Sequence, residues 1–112
     1  MKYMLFTYRD PSVQLDPEQR AAIPSRVAAW CEEMDARGVR LGGHVLAPQA
    51  DSRTIRVRNG MMTVDEGPVA EQGVHIVGFN LLECAGREEA LEVASQNPGA
   101  EFGILELRPI EP

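Results

Sequence analysis

A dipeptide near the middle of the chain, Asn59-Gly60, constrains the fold more than any other local feature. It stands in RTIRVRNGMMTVD, between two runs in which apolar and polar residues alternate. Asn-Gly is the preferred pair for a type I′ turn, whose twist matches that of two antiparallel strands. The stretch therefore predicts a β-hairpin with a two-residue connection, which any fold for this chain must include.

Four other stretches have the apolar or alternating composition of strands. Residues 2–8, KYMLFTY, alternate with few charges, which is typical of a central strand covered on both faces. The second stretch, VRLGGHVLAP, is expected to be bent or bulged at Gly42-Gly43. The remaining two are VHIVGFNLLE and GILELRPI.

The first helical pattern follows Asp16, a good N-cap, with Pro17 at its first position. Gly38 is expected to end this helix, and Pro24 predicts a kink or a break within it. Its apolar residues form one stripe that is expected to pack on a sheet: Ile23, Val27, Trp30, Cys31 and Met34.

The second helical pattern is GREEALEVASQ, which ends at Asn97-Pro98-Gly99. It is expected to turn Ala90, Leu91 and Ala94 inward. The order of elements is then β-α-β-(β-hairpin)-β-α-β, in a single domain that spans residues 1–112.

This order predicts an α+β fold with a ferredoxin-like split β-α-β sheet and an inserted hairpin. The helices of such a sheet cover one face only, so the other face needs a cover. Aromatic residues make up only 5% of the chain, and a second copy is the expected cover. We predict a homodimer whose two sheets meet as an α/β barrel.

The charge balance argues against DNA or RNA as a ligand. The net charge is -6, from 11 basic and 17 acidic residues. A protein that binds nucleic acid needs a cationic face to displace the counterions of the phosphates. Arg53, Arg56 and Arg58 are the longest basic pattern, which is too little for such a face.

The cysteines and the hydropathy predict a cytoplasmic protein that is not bound to a membrane. Cys31 and Cys84 lie far apart without CxxC spacing, so they are expected to be reduced thiols. No signal peptide is visible. No apolar run approaches the roughly 20 residues that a membrane helix needs.

No motif indicates a cofactor, a metal or a nucleophile. The chain has neither GxSxG nor a glycine loop that would bind phosphate. Two distant histidines without nearby carboxylate or cysteine ligands are a poor zinc signature. We therefore predict no cofactor and no metal.

The stretch TVDEGPVAEQG combines acidic residues with a Gly67-Pro68 step. In one interpretation, Asp65 and Glu66 form an acidic lip over the cleft between the two sheets of a dimer. The other interpretation needs no ligand: Pro68 stiffens the loop, Gly67 supplies a positive φ and Glu66 caps backbone amides. Turn chemistry explains every residue and is favoured.

His44 and His75 are the side chains that titrate near neutrality without help. In one interpretation they converge with Tyr8 on the cleft, where Asp65 or Glu66 would orient one of them as a general base. Each histidine alone is also explained as a half-buried residue bonded to a backbone carbonyl, and that reading is favoured for either one.

Two arginines complete the set of ligand-binding candidates. Arg9, beside Asp10, and Arg108 are expected to meet where the first and last strands end. Their meeting would form either an anion contact or a plain surface ion pair, and the ion pair is favoured.

Seven stretches together resemble the YCII-related family, in the branch named for an Asp-Gly-Pro-Phe motif. The resemblance runs nearly from end to end and implies a dimeric ferredoxin-like α+β barrel. Some members are small-molecule lyases, and others are associated with bacterial sigma factors. The stretches are MKYMLFTYRD, GGHVLAP, RTIRVRNG, VDEGPVAE, VGFNLLE, EEALEVASQNPGA and ILELRPI.

The chain departs from the family pattern at its motif and at a catalytic pair. The motif stands here as Glu66-Gly67-Pro68-Val69, and Glu71 matches the glutamate that follows it in relatives, which makes Glu71 a further ligand-binding candidate. The smaller branch of the family carries a helix histidine and an aspartate before a proline. The matching positions here are Val27 and Asn97, which do not ionise.

Two functional hypotheses follow. The first is a small-molecule-binding domain, extending to a cofactor-free lyase or isomerase in which His44 or His75 is the base and Asp65 or Glu66 its partner. The second is a non-catalytic dimeric accessory protein that acts through protein partners and is linked to transcriptional regulation. The surviving histidines and acidic turn favour the first, and the lost ionisable pair favours the second.

Overall fold

A computed structural model describes residues 1–70 and 72–112 of the chain. In those residues, the strands and the two longer helices follow the predicted order, and two short elements are added, a 3₁₀ turn at Gln49–Asp51 before the hairpin and a third helix at Gly99–Phe102. In chain order the elements are β1 (Lys2–Arg9), α1 (Pro17–Ala36), β2 (Arg40–Val45), β3 (Arg53–Arg58), β4 (Met61–Glu66), β5 (His75–Glu83), α2 (Arg87–Ser95), α3 (Gly99–Phe102) and β6 (Gly103–Pro109).

The four strands outside the hairpin form one antiparallel sheet in the order β2-β5-β1-β6. This is the strand order of a ferredoxin-like fold in which the hairpin is inserted between the second and third main strands. The predicted α+β class and ferredoxin-like topology are confirmed.

Alternation along the central strand β1 gives the sheet two different faces. Tyr3 and Leu5 point to the helices and are buried, and their partners on β5 are Leu82 and Asn80. The buried core lies on this helix side of the sheet. Its members are Tyr3, Leu5, Trp30, Met34, Val39, Leu82, Cys84, Ala90, Val93 and Ala94.

Helix α1 begins and ends where the sequence predicts. Asp16 and Gln19 form a reciprocal capping box, and Gly38 follows the helix with a φ of 73°. The predicted break at Pro24 is wrong, because α1 continues from Pro17 to Ala36. Proline removes one backbone donor, whereas the capping box and the burial of Trp30 support the helix on either side.

The prediction that Leu91 of α2 points inward is wrong. The buried residues of α2 are Ala90, Val93 and Ala94, while Leu91 is 53% exposed. Positions i, i+3 and i+4 share one face of a helix, and Leu91 lies about 100° away from Ala90 around the axis. Trp30 ties α1 to this helix, because its indole Nε1 donates to the carbonyl of Val93 at 3.0 Å.

The hairpin is a separate two-stranded sheet, β3-β4. Its turn has positive φ angles at both Asn59 (53°) and Gly60 (76°), as a type I′ turn requires. One face of the hairpin is formed by two exposed apolar cross-strand pairs, Ile55 with Val64 and Val57 with Met62.

The hairpin makes the chain extended for its length. The radius of gyration is 16.1 Å, whereas a compact domain of this size has about 13 Å. Opposite the helices, the sheet presents a second apolar surface, which we call the open face, formed by the half-buried Met4, Phe6, Tyr8, Phe79 and Leu81. Among the described helices, none is long and apolar enough to cross a membrane.

Candidate functional site

A cavity of about 240 Å³ lies between α1 and the helix side of the sheet. We call it the α1 cavity. It reaches the surface beside Val45, which is 82% exposed. Its apolar lining includes Ile23, Val27, Cys31, Val77 and Phe102, and its polar lining includes Thr7, Arg40, Asn80 and Asn97.

The cavity exists because helix-facing side chains become smaller along the sheet. The pair Tyr3–Leu82 fills the space under one end of α1. Four residues further along β1, the helix-facing pair is Thr7–Gly78, which leaves the space above it empty. The α1 stripe is therefore only half packed, with Trp30 in the core and Val27 on the cavity wall.

Glycines bring the polar side chains close to the backbone. A Cβ on Gly43 would collide with the carbonyl oxygen of Phe79 and the side chain of Asn80, so Asn80 can lie against β2 only because residue 43 is glycine. A Cβ on Gly99 would lie 3.0 Å from Asn97 Oδ1 and 3.1 Å from Thr7 Cγ2. Both asparagine side chains thus pack closely against a glycine in the cavity wall.

Arg40 brings a guanidinium to the cavity wall, and two of its three nitrogens donate to described side chains. Its Nε donates to Asn80 Oδ1 at 2.8 Å, and one terminal nitrogen donates to both oxygens of Asp35 at 3.0 and 3.2 Å. On the other side, Asn97 Oδ1 accepts from the backbone N–H of Gly99 at 2.7 Å. The wall therefore contains a neutralised cation and two ordered carboxamides.

The two positions that the family resemblance assigns to a histidine and an aspartate lie on this same cavity. Val27 and Asn97 both line it, although they are 70 residues apart in sequence (97 minus 27). Both positions lie between α1 and the sheet, and not in the expected cleft between two sheets. Asn80 was not predicted as a site residue, although a polar residue within the apolar run of β5 was the signal that could have identified it.

A second cavity, of about 360 Å³, continues from the first along the N-terminal half of α1. The two share Thr7, Ile23, Val77 and Phe102. Arg9 and Arg20 lie on this second cavity. Arg9 is thus near the extended groove rather than at the end of β6.

The two histidines do not converge. His44 is exposed and pairs with Phe79 across the sheet, with ring centroids 5.9 Å apart. His75 is half-buried and lies four residues before Phe79, about 13 Å along β5. Tyr8 is paired with Ile76, so the three side chains do not form one cluster.

Among the described residues, the charged contacts of Asp65 and Glu66 are with arginines and not with the histidines. Asp65 accepts from Arg56 at 2.9 Å across the hairpin, and Glu66 is 4.0 Å from Arg53. Gly67 has a φ of 100° and ties the hairpin base through its N–H to Ser52. These contacts favour the turn interpretation of the stretch. Glu71 lies outside the described residues.

The expected meeting of Arg9 and Arg108 is wrong. Strands β1 and β6 are antiparallel, so Arg9 pairs with Gly103 whereas Arg108 pairs with Met4. Five residues along β1 place them about 17 Å apart. Among the described residues, no group of three or more His, Cys, Asp or Glu side chains is placed to hold a metal ion.

Tyr8 and Arg108 instead meet through Glu106 on the open face. The Tyr8 hydroxyl donates to Glu106 Oε1 at 2.8 Å, and Arg108 donates to Glu106 Oε2 at 2.7 Å. The guanidinium of Arg108 also lies 5.9 Å from the centre of the Phe6 ring. Two ligand-binding candidates are thus joined by a carboxylate that the sequence analysis did not single out.

These contacts shift two pKa values in opposite directions. The hydrogen bonds from Tyr8 and Arg108 lower the pKa of Glu106, and the bond to that carboxylate raises the pKa of Tyr8. A carboxyl group with a lowered pKa stabilises the folded state above its unfolded pKa. That stabilisation is lost as the pH falls through the folded pKa.

Comparison with known proteins shows which family the chain matches. The YCII-related domain matches residues 1–112 of the chain. The chain is also 30% identical over 127 residues to an uncharacterized protein of Rhizobium meliloti (strain 1021), with 98% of this chain and 92% of that protein covered. The match agrees with the end-to-end resemblance in the sequence. The Asp-Gly-Pro-Phe branch stays a prediction.

Replacement of Tyr8 by Phe removes one of the two donors to Glu106. We expect the pKa of Glu106, followed by NMR titration of its carboxyl carbon, to rise because one hydrogen bond to the charged form is lost. Tyr3→Phe is the control, since the Tyr3 hydroxyl contacts Met1 Sδ rather than a carboxylate. An unchanged Glu106 pKa in Tyr8→Phe would contradict the assignment.

Proposed function

The chain belongs to the YCII-related domain family, and from that premise we propose that it is a small-molecule-binding domain whose ligand occupies the α1 cavity. The observation that carries the proposal is the cavity itself. A space of about 240 Å³ with apolar walls and a few fixed polar groups has the character of a ligand site.

The geometry supports binding rather than acid–base catalysis by the histidines. A histidine base that is oriented by Asp65 or Glu66 needs a hydrogen bond between the imidazole and that carboxylate. In the part of the chain that the structure describes, the hydrogen bonds of Asp65 and Arg56 lie on the hairpin, and no carboxylate pairs with His44 or His75. Val27 and Asn97 supply no titratable pair inside the cavity either. The ligand is therefore held by shape and hydrogen bonds.

Homodimerisation is the second part of the proposal. An isolated two-stranded hairpin is marginally stable in water, yet one face of β3-β4 is apolar and uncovered within a single chain. The open face adds Met4, Phe6 and Leu81 to the apolar surface. A second copy would cover both surfaces at once, as obligate dimers cover large apolar areas.

Toluene is a suitable probe for the α1 cavity, because a benzene-sized ligand fits an apolar cavity of about 150 Å³. We expect toluene to shift the amide NMR signals of Gly43, Gly78 and Gly99. Val27→Phe places a larger side chain in the cavity and should weaken toluene binding at least about tenfold, which corresponds to about 1.4 kcal/mol.

The matched control is Val69→Phe, at an 82% exposed position outside the cavity. It should leave the toluene affinity unchanged. The proposal fails if toluene does not bind the wild-type protein, or if Val27→Phe and Val69→Phe bind it equally well.

Light scattering tests the dimer. We expect the wild-type protein at micromolar concentration to have twice the mass of the 12.3 kDa chain. Val64→Arg places a charge on the apolar hairpin face and should shift the protein toward monomer, whereas Thr63→Arg on the opposite face of β4 should not. A wild-type monomer would contradict the dimer and leave the apolar face for a different protein, as the accessory-protein hypothesis requires.

A further inference from the structure

Two asparagines are buried on the wall of one small cavity. Asn80 is 9% exposed and Asn97 is 4% exposed, and both line the α1 cavity. A buried carboxamide is costly unless its donors and its acceptor find partners. The bonding of each carboxamide therefore indicates what the cavity can hold.

The orientation of each carboxamide follows from its partner. The guanidinium of Arg40 and the backbone N–H of Gly99 are donors and have no acceptor. The atom that each of them contacts must therefore be an oxygen, Oδ1 of Asn80 and Oδ1 of Asn97. In both side chains Oδ1 accepts a hydrogen bond from the protein, whereas the amide nitrogen Nδ2 donates none to the described residues.

The hydrogen bonds of the two carboxamides leave their amide nitrogens without a partner among the described residues. Among the described residues, every fully shielded side-chain nitrogen or oxygen has a hydrogen-bond partner. The hydrogen bonds of Asn80 and Asn97 in those residues use their oxygens as acceptors. The nitrogens are therefore not fully shielded, and both residues line the α1 cavity.

The charge balance of the wall selects among ligands that accept hydrogen bonds. Arg40 is the guanidinium in the lining, and Asp35 engages it through both carboxylate oxygens. Because Asp35 already compensates the charge of Arg40, a ligand carboxylate would lose its hydration without gaining an unpaired positive charge as a partner. A neutral carbonyl oxygen needs only the two N–H donors and an apolar surround.

We propose that the ligand of the α1 cavity is a small, neutral, largely apolar carbonyl compound whose oxygen accepts from Nδ2 of Asn80 and Asn97. This inference rests on the proposed function and adds the chemical class of the ligand. A cavity of about 240 Å³ is larger than one of about 150 Å³ that holds benzene. It therefore accommodates one ring with a short carbonyl substituent.

A matched pair of probes separates the carbonyl group from the apolar contacts. Acetophenone has a carbonyl oxygen where α-methylstyrene, a molecule of nearly the same shape, has a CH₂ group. We expect the wild-type protein to bind acetophenone at least about tenfold more tightly, because α-methylstyrene leaves two buried donors without an acceptor. Benzoate, the charged counterpart, should bind more weakly than acetophenone.

Asparagine-to-aspartate variants test the two nitrogens individually. Asn80→Asp and Asn97→Asp keep an oxygen for Arg40 and Gly99 but replace the Nδ2 donor by a second acceptor. We expect each variant to lose most of the preference for acetophenone and to keep its affinity for α-methylstyrene. The control is Asn59→Asp in the hairpin turn, where Asp-Gly is also a preferred pair, and it should keep the preference.

A measurement on the wild-type protein covers the case in which a variant does not fold. The side-chain NH₂ signals of Asn80 and Asn97 should shift downfield when acetophenone is added and should shift much less with α-methylstyrene. Equal affinities for the two probes, a preference that survives in both Asp variants, unshifted NH₂ signals or tighter binding of benzoate would each overturn the inference. If neither α-methylstyrene nor toluene binds, the proposed function itself fails.

Discussion

The pairing of β1 with both β5 and β6 determines the rest of this structure. It places Tyr3 and Leu5 against the helices and Phe6 on the opposite face, so both faces of the sheet are apolar. The helices cover one of these faces. The same register aligns Thr7 with Gly78, two small residues, beneath the N-terminal half of α1. One set of backbone hydrogen bonds thus produces the core, the α1 cavity and the open face together.

Local signals in the sequence predicted most of the fold. The Asn59-Gly60 turn, the capping box at Asp16 and the positive φ of Gly38 each depend on a few neighbouring residues, and the structure confirms them. The errors arose where tertiary contacts decide. The helix continues through Pro24 because the capping box before it and the burial of Trp30 after it support the helix, and Leu91 is exposed because α2 turns Val93 toward the core.

The candidate site was less accessible to sequence reasoning, because it depends on register and on side-chain size at paired positions. Antiparallel pairing separates Arg9 from Arg108, and it joins Tyr8 to Glu106, which is 98 residues away in the chain. Neither relation is visible in a linear pattern. The cavity likewise appears only when Thr7 is known to face Gly78. The histidines attracted attention through their chemistry, whereas the ordered polar groups are asparagines.

The free cysteines provide the most direct measurement of whether the α1 cavity is open to a ligand. Cys31 lines the cavity, whereas Cys84 lies in the core, where burial raises the pKa of its thiol. Methyl methanethiosulfonate, a small thiol reagent, should modify Cys31 first, and toluene should slow that reaction severalfold, as followed by mass spectrometry. Equal modification of the two cysteines, or a Cys31 rate that toluene does not change, would contradict the account.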